Sequence, residues 1–92
     1  MSDIDIQLDE DDSRFHALVD GHYCVLDFTR QDDIVSMNHV GVPDPVGGRG
    51  IAGQLTRHAL DWADARGLKV RARCPYVAAW IKRHPEYERL LA

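Results

Sequence analysis

The chain has only two cysteines, Cys24 and Cys74, in 92 residues. They lie in separate segments without metal-ligand spacing, so neither a disulfide framework nor a zinc site is implied. No apolar run approaches the roughly 20 residues that a membrane-spanning helix needs. Met1-Ser2-Asp3 opens no secretory leader. A cytoplasmic protein without a membrane partner is the expectation. The aromatic residues do not interleave with a basic stripe, which argues against a nucleic-acid partner. Internal repeats, low-complexity segments and linkers are absent too. Residues 1–92 therefore read as one small domain, with a core near the lower limit for unaided folding.

Bases are missing from one end. Residues 1–12 carry six acids and no Lys or Arg, whereas residues 49–92 carry nine Lys/Arg against four Asp/Glu. A basic C-terminal half favours an anionic ligand, although a solvated mixed surface would give the same count.

What is present is punctuated clearly. Ile4, Ile6 and Leu8 alternate with polar residues and read as a strand with one wet face, or as an acidic tail over residues 1–12. Phe15, Ala17 and Val19 alternate next, and Asp20-Gly21 marks a hairpin turn. The return strand, Tyr23 to Thr29, is almost continuously apolar and is expected at the centre of the sheet. Ile34 to Val42 is the next strand, closed by Pro43 and Pro45. These strands predict an antiparallel meander.

From Gly50 to Arg66 the period changes to that of a helix. Ile51, Leu55, Ala59, Trp62 and Ala63 form an apolar stripe, and Gly67 follows as a C-terminal stop. Leu68 to Cys74 is a strand with Leu68, Val70 and Ala72 on one face and Lys69, Arg71 and Arg73 on the other. Strand–helix–strand order makes it a parallel neighbour of Ile34–Val42. Val77 to His84 is a short helix with Val77, Trp80 and Ile81 inward, and Tyr87 to Leu91 adds a last turn. The order is β-β-β-β-α-β-α: a mixed, mostly antiparallel sheet with packed helices, of the α/β (α+β) class.

The junction of strand and helix carries the chemistry. Gly47-Gly48-Arg49-Gly50-Ile51-Ala52 lies between the strand ended by Pro43 and the helix. A glycine-rich loop at a helix start aims backbone N–H groups at an anion, and Arg49 adds a fixed charge. A flexible connector has the same composition. The loop is neither the Rossmann fingerprint nor a P-loop, which would need a Lys-Ser/Thr pair.

Those six residues resemble the pyrophosphate loop of GNAT-type N-acetyltransferases, Q/R-x-x-G-x-G/A. Gly50 and Ala52 fill its last two fixed positions, and Gly47 replaces the usual Gln or Arg. A branch of very short GNAT-like proteins is further resembled by His39 with Val42-Pro43, by Cys74-Pro75-Tyr76-Val77, by Trp80-Ile81 and by His84-Pro85-Glu86-Tyr87. The resemblance covers about residues 14 to 91. Val40 and Gly41 stand where that branch has Thr and Glu, and Ala72 where it often has Pro.

The resemblance implies a minimal GNAT-like fold, in which two parallel strands splay apart and acetyl-CoA lies in the gap. It implies pantetheine beside Val40 and Val42, and pyrophosphate on Gly47, Gly48, Arg49, Gly50, Ile51 and Ala52. The cofactor expected is acetyl-CoA as co-substrate, with no metal.

Cys74, His39 and Tyr76 are the candidate catalytic residues. Cys74, before a proline and a helix start, reads as a small core residue or as a thiol beside the thioester. His39 reads as a half-buried structural residue, a general base or a ligand-orienting group, on one face with Val35 and Met37 by alternation. Tyr76 reads as core, as a residue that holds the pantetheine, or as a proton donor to the departing thiolate. The expected activity is acetyl transfer to a small acceptor, an amine by default, either through an acetyl group carried on Cys74 or by direct attack with Cys74 lining the pocket. The alternatives are a non-catalytic CoA-binding or protein-interaction module and a nucleotide-binding protein.

Overall fold

The computed structural model describes residues 4–92, and Met1, Ser2 and Asp3 lie outside it. Its five strands are β1 (Gln7–Asp9), β2 (Arg14–Val19), β3 (His22–Gln31), β4 (Ile34–Gly41) and β5 (Lys69–Ala72). They form one sheet in sequence order, with β3 in the middle as expected. The first four are antiparallel neighbours, and β4 and β5 are parallel. Helix α1 (Ile51–Ala65) makes the crossover between the parallel strands, and α2 (Pro75–Arg83) follows β5. Among the described residues no helix is long and apolar enough to cross a membrane.

Local chemistry sets these boundaries. The β2–β3 hairpin turns at Asp20-Gly21, both with positive φ. Helix α1 stops in a Schellman motif: Gly67 N–H donates to Asp64 C=O at 3.1 Å and Leu68 N–H to Ala63 C=O at 2.9 Å. Pro75 occupies the first turn of α2, where its missing N–H costs nothing.

Both helices pack on the same face of the sheet. Phe15, Leu26, Val35, Met37 and Val70 from the strands meet Leu55, Ala59, Leu60, Val77 and Ile81 in one apolar cluster. Each such large side chain, fully buried, contributes about 1.5–3 kcal/mol. Trp62 is only half-buried, and Leu60 takes the fully buried place beside it. The N-terminal segment docks: β1 pairs with β2, and Ile4, Ile6 and Leu8 pack against the core. The strand itself is confined to Gln7–Asp9.

Among the described residues no helix lies over the opposite face. Leu18 is 61% exposed and Tyr23 63%, and β3 alternates buried and wet residues despite its apolar sequence.

One irregularity redirects a candidate residue. Phe28 pairs with Met37 but Asp27 pairs with His39, so Asn38 is an extra residue in β4. At this β-bulge Asn38 and His39 are both exposed, and Val40 turns back toward the core. Strict alternation placed His39 with Val35 and Met37. The bulge corrects that: Val35 and Met37 are fully buried and His39 stands on the open face.

Candidate functional site: a forked strand pair beside an uncapped helix

The β4–β5 pairing covers Ile34–Met37 and Lys69–Ala72 and then stops, although β4 runs on to Gly41. The last link is the Met37 carbonyl. It accepts from Arg73 N–H at 3.1 Å and from Cys74 N–H at 2.9 Å. Beyond it the bulge takes β4 away, and its edge from residue 38 onward has no β5 partner. Val40 and Val42 lie on this unpaired stretch.

The loop after β4 begins with a 3-10 turn, Asp44–Val46, anchored by the buried Val46. Gly48 and Gly50 both have φ of +78°, where a side chain would strain the backbone. Gly50 is the N-cap of α1, and no side chain caps it. The first helical bond runs from Gln54 N–H to Gly50 C=O at 3.1 Å. The N–H groups of Ile51, Ala52 and Gly53 therefore lack intrahelical acceptors and form the positive end of the helix dipole.

Two polar groups from α2 reach this helix start. A Cβ on Gly53 would lie 3.4 Å from Trp80 Nε1 and 3.5 Å from the Tyr76 hydroxyl oxygen. Neither atom has a hydrogen-bond partner among the described residues. Tyr76 is 37% exposed, so its hydroxyl is reachable. Gly53 and Trp80 were not among the sequence-derived site residues. The available signal was a glycine inside the first turn of a helix, a place where it costs about 1 kcal/mol relative to Ala.

Cys74 stands at the fork as the N-cap of α2, 6% exposed, and its thiol has no hydrogen-bond partner among the described residues. His39 is not brought to it. Cys74 belongs to the helix-covered side and His39 to the open one. The His39 ring lies along the strand over Gly41, where an added Cβ would sit 3.0 Å from Nε2. Arg49 points to neither group: it pairs with Asp20 of the β2–β3 turn at 2.5 Å, both side chains being at least half exposed. Cys24 is fully buried, and burial pushes its thiol up from the ordinary range.

The C-terminal motif is packing. Trp80 stacks on His84 with ring centroids 3.8 Å apart, and His84 Nδ1 lies 2.8 Å from Trp80 C=O. Tyr87 donates to Asp61 of α1 at 2.8 Å. Burial, and then that bond, raise the pKa of its hydroxyl.

A mixed sheet whose parallel pair forks beside a glycine-rich helix start defines an acetyltransferase-type α/β domain. Residues 14–90 match the family model of the GCN5-related N-acetyl-transferases, and the chain belongs to that family. It is 40% identical over 52 residues to Protein NATD1 of Gallus gallus, a match covering 56% of this chain and 47% of that protein. The Homo sapiens Protein NATD1 matches at 40% over 52 residues, 56% of this chain and 46% of that one. The match thus spans about half the length of these curated relatives. The solution NMR structure of a GCN5-like protein from Staphylococcus aureus superimposes with a TM-score of 0.76. At 21% identity it covers 100% of this chain and 91% of that one, a likeness of fold.

Proposed function

We propose that this protein binds acetyl-CoA at the fork and transfers the acetyl group to a small amine. The observation that carries the reading is the fork at Met37 beside an uncapped, glycine-led helix start. The N–H groups of Ile51, Ala52 and Gly53, with the loop from Gly47 to Gly50, suit a pyrophosphate. Arg49 joins them by exchanging Asp20 for phosphate. Exposed ion pairs hold only about 0–1 kcal/mol, so that exchange is easy. The pantetheine arm takes the place of the missing strand beside Val40 and Val42.

Bound there, the thioester lies between Cys74 and Tyr76. The amine nitrogen attacks the carbonyl carbon, the C–S bond breaks, and the sulfur leaves as a thiolate. Tyr76 is the proton donor to it; the attacking nitrogen loses one proton as the amide forms, and that proton returns through water to the Tyr76 phenolate. The absence of a hydrogen-bonded base at the Cys74 thiol favours direct attack over a Cys74 acyl intermediate.

Calorimetric titration with CoA tests this reading. Saturable binding by the wild type, weakened about tenfold in Arg49→Ala, is the expected result. No binding by the wild type overturns the function. Binding without turnover of any amine would mark a non-catalytic CoA module, and a melting temperature indifferent to CoA but raised by a protein would mark an interaction module. Intact-protein mass spectrometry after incubation with acetyl-CoA separates the routes. An acetyl adduct on the wild type that Cys74→Ala loses would establish the covalent one.

A further inference from the structure

The open face carries a polar row that acetyl transfer does not by itself require. Thr29 of β3, Ser36 of β4 and Arg71 of β5 stand in register across three strands. Asn38 Nδ2 donates to Thr29 Oγ1 at 3.2 Å and extends the row to the bulge. These three residues help to line a depression of about 410 Å³, floored in part by Ile34. It lies one register step behind Met37 and Ala72, the last pair before the fork.

The charges around it are uneven. Arg14, Arg49, Arg66 and Arg89 each hold a carboxylate. Arg71 makes no ion pair among the described residues. Arg30 at the rim is tied to its own turn, donating from Nε to Asp32 C=O at 3.0 Å. Asp32 is the one acid in the lining. A guanidinium that holds no carboxylate in an ion pair, next to the Ser36 hydroxyl and with that of Thr29 one strand further on, is a binding arrangement for a carboxylate or a phosphate.

Strand rise sets the spacing. From the Ser36–Arg71 row to the level of Asn38 and Arg73, at the mouth of the fork, is two residues or about 7 Å. The geometry points to an acceptor that carries its own anion: a primary amine with a carboxylate or phosphate a few bonds away. The anion sits on Arg71, Ser36 and Thr29, and the amine reaches the thioester from the open face. This inference rests on the acetyl-transfer reading. The bond changes are those given above, and the anion is unchanged in them.

Release of free CoA thiol from saturating acetyl-CoA is the readout. The acceptors are 5-aminopentanoate, O-phosphoethanolamine and neutral butylamine, tested on wild type, Arg71→Gln and Arg71→Lys. The wild type is expected to prefer an anionic amine over butylamine by about tenfold or more in kcat/KM. In Arg71→Gln that preference collapses toward one, mainly through KM, and Arg71→Lys restores part of it. Whichever anionic amine wins tells carboxylate from phosphate. Equal use of butylamine by the wild type, or a preference untouched in Arg71→Gln, overturns the inference. Amide NMR titration with 5-aminopentanoate and O-phosphoethanolamine gives an independent arm. Shifts centred on Thr29, Ser36 and Arg71 support the site even without turnover, and their absence for both probes overturns it. Loss of CoA binding with these shifts intact would instead fault the acetyl-transfer reading alone.

Discussion

The two faces of the sheet are made by the same strands under opposite demands. The covered face is apolar throughout, from Phe15 and Leu26 to Val35 and Val70, and all four side chains are fully buried. The open face carries a column of paired polarity: Arg14 against Asp27, Asn38 against Thr29, and His16 edge-on to Tyr23 at 5.7 Å. Stability is concentrated on the first face, and the residues free to meet a substrate are on the second. The fork at Met37 is where the two connect, because there the space between β4 and β5 opens through the sheet.

The sharpest way to break that comparison is one substitution on each face. Phe15→Ala removes a ring packed against Phe28 and Trp62, with centroids 5.5 and 5.4 Å away. It should cost about 3–5 kcal/mol in urea unfolding. Tyr23→Ala, on a residue 63% exposed, should cost under about 1 kcal/mol, chiefly as strand propensity and its contact with His16. A Tyr23 cost close to that of Phe15 would mean that something covers the open face in solution, a second copy first of all.

Much of the covered face was legible in the sequence because one physical rule wrote it. Alternation gave β2, a near-continuous apolar run after the Asp20-Gly21 turn gave β3, the 3.6 period gave α1, and Val77, Trp80 and Ile81 were placed inward correctly. Strand–helix–strand order gave the parallel β4–β5 pair. Local rules failed where tertiary structure intervened. Nothing in Met37-Asn38-His39 announces a bulge, so His39 was assigned to the wrong face. The near-continuous apolarity of Tyr23 to Thr29 placed β3 at the centre of the sheet, but it did not show that Tyr23 would stand in water on the open face. Arg49 was legible as a charge in the loop, but its partner Asp20 is 29 residues away. The bare guanidinium of Arg71 is likewise a property of the assembled sheet, since only the folded chain shows which arginines have found acids.

A second test concerns what fastens the helix layer. Tyr87 bridges the C-terminal turn to α1 through its 2.8 Å bond to Asp61, and its ring lies 5.2 Å from that of Trp80. Tyr87→Phe keeps the ring and removes the bond, which should cost about 0.5–1.5 kcal/mol. Tyr87→Ala should cost more, because the ring contact goes as well. Equal losses for the two variants would assign the fastening to the hydrogen bond rather than to apolar packing.

The smallest effect is the most diagnostic of how little charge contributes there. Arg89 grips Asp64 with two bonds of 2.9 Å, joining the same C-terminal turn to the last turn of α1, three residues beyond Asp61. Those bonds hold the Asp64 carboxyl below the ordinary carboxylate range. A carboxyl depressed in the folded state contributes stability that is fully present above its unfolded pKa of about 3.9 and is lost as the pH falls through the folded value. Asp64→Asn should therefore melt slightly below the wild type at neutral pH, and the two curves should converge in acid as Asp64 is protonated. Both side chains are exposed, so the neutral-pH gap should be small and should shrink with added salt. A gap that persists unchanged in acid or in high salt would show that Asp64 acts through its shape and neutral hydrogen bonding. The ion pair would then have no part in holding the turn, which would rest on packing and neutral hydrogen bonds.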